Sequence, residues 1–210
     1  MPRTNVYIDG FNFYYGAVRH TPYKWLNFAE LCRLLLPPSQ YTINQIKYFT
    51  ARVQARPTDP DQPVRQEIYL RALRTIPALS IIFGHFLTNE TSMQVAGQNP
   101  RTPTYVRVLK TEEKGSDVNL ASHLVNDAHK RDFEVAVVIS NDSDLVEPVR
   151  IVTQELGLQV GILNPHARRS RELSQYATFY KKIRPGVLSA SQFPATLTDA
   201  TGNFHKPPVW

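Results

Sequence analysis

The segment Val135-Ala136-Val137-Val138-Ile139-Ser140-Asn141-Asp142-Ser143-Asp144 sets the tightest limit on what this chain can fold into. Five apolar residues, four of them β-branched, form a short continuous run, as a strand buried on both faces does. The run stops at once in serines, an asparagine and aspartates. Pro148 follows, and proline is best tolerated in the first turn of a helix, so the next helix is expected to start there. Residues 140–147 then form the loop after the carboxyl end of a buried parallel strand, which is where open α/β sheets bind ligands. Paired carboxylates in such a loop are costly unless solvent, a donor or a cation compensates them.

The amino-terminal part repeats this arrangement. Val6-Tyr7-Ile8 runs into Asp9-Gly10-Phe11-Asn12, placing an acid at a strand end beside a glycine that allows a tight turn. Asp9 alone can be a helix cap. Two acidic strand ends side by side in one sheet, however, would form a single pocket. A third acidic signal is Glu112-Glu113-Lys114-Gly115-Ser116-Asp117, followed by a helical stripe of Val118, Ala121, Leu124, Val125 and Ala128. Ser116 is expected to cap that helix, with Asp117 in its first turn and leaning toward the stripe. As a helix-terminal acid alone it would contribute about 0.3–1 kcal/mol. Asp127 and Asp132 read as surface charges.

Elsewhere the pattern predicts a helix over 27–36 ended by Pro37-Pro38, a strand over 43–53 and a helix over 62–76. A strand over 79–87, a loop or loose hairpin over 88–104 containing Pro100, and strand character over 105–109 follow. A helix over 149–155, strands over 158–163 and 178–183, and a short arginine-rich helix complete the α/β pattern. Residues 1–184 are therefore expected to be one α/β domain, and 185–210 an extended arm anchored by Phe193, Phe204 and Trp210.

Composition narrows the function classes. With 210 residues and 42% hydrophobic content the chain can bury a full core. No run approaches the roughly 18 apolar residues of a membrane span. The start Met-Pro-Arg-Thr-Asn lacks signal-peptide character, so a cytoplasmic location is expected. Cys32, the single cysteine, falls in an apolar helical stretch, which excludes a disulfide framework and a thiolate zinc site. A net charge of +6 beside an acidic candidate site suits a polyanionic partner, with carboxylates holding divalent cations.

The motifs Tyr7-Ile8-Asp9-Gly10-Phe11-Asn12, Lys114-Gly115-Ser116-Asp117-Val118 and Ser140-Asn141-Asp142-Ser143-Asp144-Leu145 resemble those of the NYN domain. That family belongs to the PIN-like, flap-nuclease-related, metal-dependent ribonucleases. The resemblance covers roughly residues 4–183, with three motifs in the family's order. It implies a three-layer α/β/α PIN-like fold with a mainly parallel sheet. Asp9, Asp117, Asp142 and Asp144 match the acidic metal-binding cluster, and Asn12 matches a polar position that contacts substrate or water. Asn141 stands where relatives often have glycine. The implied cofactor is Mg²⁺ or Mn²⁺ and the implied partner is RNA, with DNA left open.

The chemistry is consistent with that implication. Phosphodiester hydrolysis needs a hydroxide nucleophile, relief of phosphoryl charge and a stabilised leaving group, all of which carboxylate-held Mg²⁺ or Mn²⁺ can supply. Asp9, Asp142 and Asp144 are expected to hold the principal ion. Asp117 would hold a second ion or orient water. A haloacid-dehalogenase-type phosphatase would need a second acid where Phe11 stands, and a von Willebrand-type adhesion domain would need serines where Phe11 and Phe13 stand. The remaining rival is an RNA-binding or regulatory module that keeps the acidic site with little turnover.

Overall fold

The computed structural model describes residues 1–97 and 103–210. The first three strands are β1 (Arg3–Asp9), β2 (Thr42–Thr50) and β3 (Leu79–Phe83). An antiparallel ribbon of β4 (His85–Gln94) and β5 (Tyr105–Lys114) follows. Three more strands come next: β6 (Val135–Ile139), β7 (Gln159–Asn164) and β8 (Phe179–Lys182). Six of these strands form one sheet in the order β3-β2-β1-β6-β7-β8, and every neighbouring pair is parallel. The chain leaves β1 toward β2 and β3, then returns to place β6 on the other side of β1. The strand order therefore reverses between β1 and β6, the kind of switch point where open sheets bind ligands.

Alternation along the strands divides the core in two. Val6 and Ile8 of β1, with Val135, Val137 and Ile139 of β6, face Phe28 and Leu31 of helix α2 and Leu70 and Leu73 of helix α3. These helices span Phe28–Leu35 and Gln62–Leu73, and a short α1 (Gly10–Phe13) precedes them. Tyr7, Ala136 and Val138 face the opposite layer. There Leu120 and Leu124 of α4 (Ser116–His129), Val149 of α5 (Val146–Arg150) and Leu173 of α6 (Arg171–Tyr176) cover them. The expected α/β/α architecture is present, with helices on both faces because the strands between them are apolar on both sides.

Several local expectations are corrected. The strand expected over 79–87 divides at Gly84, where an added Cβ would lie 2.5 Å from the Lys114 carbonyl. The segment after it is a well-formed ribbon extending to Gln94 and resuming at Tyr105, whereas Pro100 lies outside the described residues. The helix expected from Pro148 begins earlier. Asp142 caps a turn over Ser143–Leu145, and Pro148 sits in the first turn of α5, where its missing N–H costs nothing.

Asp127 is not a surface charge. The register sets Tyr7 beside Lys47, and both point at α4. Asp127 Oδ2 accepts a hydrogen bond from the Tyr7 hydroxyl at 2.7 Å and lies 2.5 Å from Lys47 Nζ. The buried stripe of α4 is Leu120, Leu124, Asp127 and Ala128, while Val118 is exposed. The helix is thus rotated from the stripe expected of it, because a buried ion pair replaces one apolar position. Asp132 accepts from the Asn5 amide at 2.8 Å, bonding the loop before β6 to β1.

Residues after β8 continue as α7 (Pro185–Ala190) and an antiparallel pair, β9 (Thr196–Asp199) and β10 (Gly202–His205). Phe193, Phe204 and Trp210 gather around the buried Trp25, with ring centroids at 5.7, 6.4 and 6.4 Å. Arg71 of α3 donates twice to Asp199 at 2.7 Å and lies over the Phe204 ring. That guanidinium holds the Asp199 carboxyl well below the usual carboxylate range.

Candidate functional site

β1 ends in Asp9, the N-cap of α1, whose carboxylate accepts from the Asn12 N–H at 2.9 Å and from Ser140 Oγ at 2.9 Å. Ser140 is the first residue after β6, so this second bond joins the two strand ends across the switch point. Gly10 is required by close approach rather than by a left-handed turn: a Cβ there would lie 2.7 Å from the Phe49 carbonyl. The Asp142 N–H donates to Ser140 Oγ at 3.1 Å, and Asp142 Oδ1 accepts from the Asp144 N–H at 3.0 Å. The Asp9 and Asp142 carboxylates are thus each held by a cap or turn bond.

Asp117 reaches the same region from the first turn of α4. Gly115, in the left-handed region at φ 94°, is the N-cap, so Ser116 is the first helical residue and not the cap. Glu113 supplies the capping oxygens, accepting from Ser116 N at 3.1 Å and from Ser116 Oγ at 2.7 Å. Asp9, Asp117 and Asp142 line a common cleft of about 640 Å³, and Glu113 lines it too. Asp144 is exposed and stands outside the cleft wall.

The electrostatics show that these acids share one field. Burial, reinforced by Asp117 and Asp142, pushes the Asp9 carboxyl up to about 7 against the opposing bonds from Asn12 and Ser140. Burial and then Asp142, Glu113 and Asp144 push Asp117 up to about 6. Among the described residues no basic side chain forms an ion pair with Asp9 or Asp117. Among the described residues, no three His, Cys, Asp or Glu side chains are drawn together closely enough to hold a metal ion. The donor chemistry nevertheless fits a hard divalent cation: all-oxygen ligands carrying more negative charge than the surroundings compensate.

A pH dependence follows. Between about pH 4 and 7 folded Asp9 retains a proton that the unfolded chain has released, so its contribution to stability falls as pH rises through that window. Asp117 acts in the same sense between about pH 4 and 6. Without divalent cations, wild type is expected to lose ground to an Asp9→Asn variant progressively from pH 5 to pH 8. Parallel denaturation curves across that range, with an unchanged gap between the two proteins, would show that Asp9 carries no such burden.

Asn12 is the junction of the loops. Its Oδ1 accepts from the Asn141 N–H at 3.0 Å, which sets the orientation of the amide. His166 Nε2 lies 3.0 Å from the same oxygen and must therefore carry the proton. The Asn12 amide nitrogen stays without a protein partner among the described residues. A Cβ on Gly16 would come within 2.6 Å of the His166 ring, so glycine there lets the ring lie against the turn after α1. Asn141 accepts from Ser170 N at 2.8 Å, extending the lock to the loop after β7.

The sequence reading missed His166, Ser140 and the capping role of Glu113. His166 follows a strand end as Asp9 and Asp142 do, and that rule extended to β7 would have found it. Lys24, Arg56, Tyr14 and Tyr15, which line the cleft, carried no pattern that marked them, whereas Arg65, also in its lining, lies off the apolar stripe of its helix, as an arginine available to a phosphate would.

The model of the NYN domain family matches residues 3–183. The 6-hydroxy-3-succinoylpyridine 3-monooxygenase HspA of Pseudomonas putida is 30% identical over 235 residues, spanning 99% of this chain and 75% of that protein. A solved structure of a protein of unknown function from Vibrio parahaemolyticus superposes with a TM-score of 0.57 at 15% identity. That match covers 88% of this chain and 94% of the other, and it concerns the fold alone.

Proposed function

Because the chain belongs to the NYN domain family, we propose that it is a divalent-metal-dependent ribonuclease that hydrolyses RNA phosphodiester bonds at the acidic part of the cleft. The observation that carries this reading is that Asp9, Asp117 and Asp142 line one cleft and, among the described residues, have no basic ion-pair partner, while burial and mutual repulsion displace Asp9 and Asp117 toward neutrality. Asp9, Asp142 and Asp144 would hold Mg²⁺ or Mn²⁺. When bound, such an ion supplies charge relief on the phosphoryl oxygens and a nucleophile at neutral pH.

The chain's own groups do the rest. Ser140 Oγ and the Asn12 N–H hold the Asp9 carboxylate in one orientation, and the Asp144 N–H does the same for Asp142. Asp117 is half-buried, and its displaced carboxyl suits it to orient the attacking water and accept its proton. Asn12 has a spare amide N–H to donate to a phosphate oxygen, its own oxygen being occupied by Asn141 and His166. The net charge of +6 favours encounter with a polyanion.

A second reading comes from the Pseudomonas relative, named a monooxygenase of a small aromatic substrate. Two observations favour it: the similarity runs through nearly the whole chain, and a cleft of about 640 Å³ is of small-molecule size. One experiment separates the two readings. Wild type and Asp142→Asn are incubated with RNA plus Mg²⁺ or Mn²⁺, and separately with 6-hydroxy-3-succinoylpyridine, an electron donor and oxygen. Metal-dependent RNA cleavage that the variant lacks is expected. Intact RNA beside consumption of the pyridine would replace the nuclease reading with the second one.

A further inference from the structure

The cleft that the acids line is also lined by Lys24, Arg56 and Arg65, together with Tyr14 and Tyr15. Arg65 is paired with Asp59 at 2.5 Å. Lys24 and Arg56 have no ion-pair or side-chain hydrogen-bond partner among the described residues. Lys24 is half-buried, as a lysine is when its stem packs on the protein and its ammonium reaches solvent. Tyr15 is 51% exposed, with the Arg19 guanidinium 5.1 Å from its ring centroid and the Tyr14 ring edge-on to it at 5.3 Å, so the exposed area lies on the part of the ring these two leave uncovered. One cleft therefore carries a group of acids, two cations without ion-pair partners among the described residues and a half-exposed tyrosine ring.

We propose that the basic part of this cleft is a subsite for a phosphate flanking the reacting bond of a single strand. Lys24 and Arg56 are its phosphate-binding cations, and Tyr15 is the surface on which the adjoining base stacks. The inference rests on the nuclease reading and adds to it which part of the substrate is held, and by what. A strand lying along the cleft meets cations at one phosphate and acids at another. The acids repel a bare phosphate, so the cations supply the affinity while the reacting bond is held over the carboxylates. A cleft of about 640 Å³ is within the range of small-molecule sites, room for a short piece of a single strand. Stacking on a tyrosine ring tolerates any base, so contact here carries little sequence preference.

The test measures binding apart from turnover. Affinity for a fluorescent single-stranded oligoribonucleotide is read by anisotropy in EDTA at several salt concentrations. The proteins are wild type, the double variant Lys24→Met/Arg56→Ala, Tyr15→Ala and, as a control remote from the cleft, Arg33→Ala. Methionine retains the buried stem of Lys24 and removes only its charge. The double variant is expected to raise Kd about tenfold or more and to reduce the slope of log K against log salt by about 0.7, the share of one phosphate contact on a single strand. Tyr15→Ala should weaken binding with the salt slope unchanged, and Arg33→Ala should do nothing. Melting curves matching wild type establish that each variant is folded, and Lys24→Arg with Arg56 intact should bind as wild type does. If the double variant binds with wild-type affinity and slope while wild type cleaves RNA, the subsite is refuted and the nuclease reading stands. If wild type neither binds nor cleaves RNA, both fall together.

Discussion

Replacing Asp117 or Asp9 by asparagine is expected to move activity and metal-free stability in opposite directions. RNA cleavage should fall by orders of magnitude, because removing one carboxylate weakens metal retention and, at Asp117, also removes the proton acceptor. Metal-free protein should meanwhile melt at a higher temperature at pH 8. Asparagine caps helices as well as aspartate does and keeps an oxygen for the Asn12 N–H, so little is lost at α1. What is removed is a carboxyl that burial, reinforced by Asp117 and Asp142, pushes up to about 7. A gain of about 1 kcal/mol moves Tm by about 2–4 °C in a chain of 150–250 residues. Divalent cation should raise the wild-type Tm by binding only the folded state, about 2.7 kcal/mol at a hundredfold excess over Kd, and should raise the variants less. Melting curves with and without Mn²⁺, run beside a cleavage assay, decide the matter. Asparagine variants that melt well below wild type and still cut RNA would mean that these acids are structural caps.

Asp127→Ala should be among the most damaging single substitutions in the chain. It leaves the Lys47 ammonium and the Tyr7 hydroxyl buried without their shared acceptor. Breaking a buried pair from one side typically costs about 3–5 kcal/mol. Replacing both members, as in Lys47→Met/Asp127→Leu, leaves no unpaired charge and should cost much less than Asp127→Ala alone. The consequence reaches the site, because the pair pins to the sheet the same helix that carries Asp117. Urea denaturation measures it: a midpoint for Asp127→Ala close to that of wild type would show that water reaches Lys47 and that the pair is not a structural anchor. Catalytic loss in a folded Asp127→Ala protein should be partial, since no atom of Asp127 lines the cleft.

The two buried strands and the acids after them were legible because strand burial and strand termination are local. Val135–Ile139 is apolar without interruption, and Ser140–Asp144 cannot continue it. The same logic placed Asp9. Reading Asp117 required a helical phase, and there the inference succeeded in part: Asp117 is in the first turn, yet the stripe beneath it is Leu120, Leu124 and Asp127 rather than one starting at Val118. The phase shifted because an aspartate occupies an inward position, and hydrophobic periodicity counts an aspartate as outward. Asp127 falls three residues after Leu124, and its partner Lys47 lies in another strand, so only long-range pairing shows that it can be buried. Gly10 was noticed for its conformational freedom, but the reason for glycine there is the Phe49 carbonyl of the adjacent strand.

By itself the sequence determined the α/β class, the places where strands end in acids and the family, because each follows from contiguous residues and their spacing. Only the tertiary structure decided that β6 returns to the open side of β1, which puts Asp9 and Ser140 in hydrogen-bond contact across a switch point. Only it decided that His166 shares the Asn12 oxygen, that Lys24 and Arg56 line the same cleft as the acids, and that Arg71 is spent on Asp199 rather than left free for a phosphate. The physical reason is common to all of these. Partners 131, 154 and 128 residues apart meet through strand order and register, and neither composition nor periodicity encodes which loops the folded sheet sets side by side.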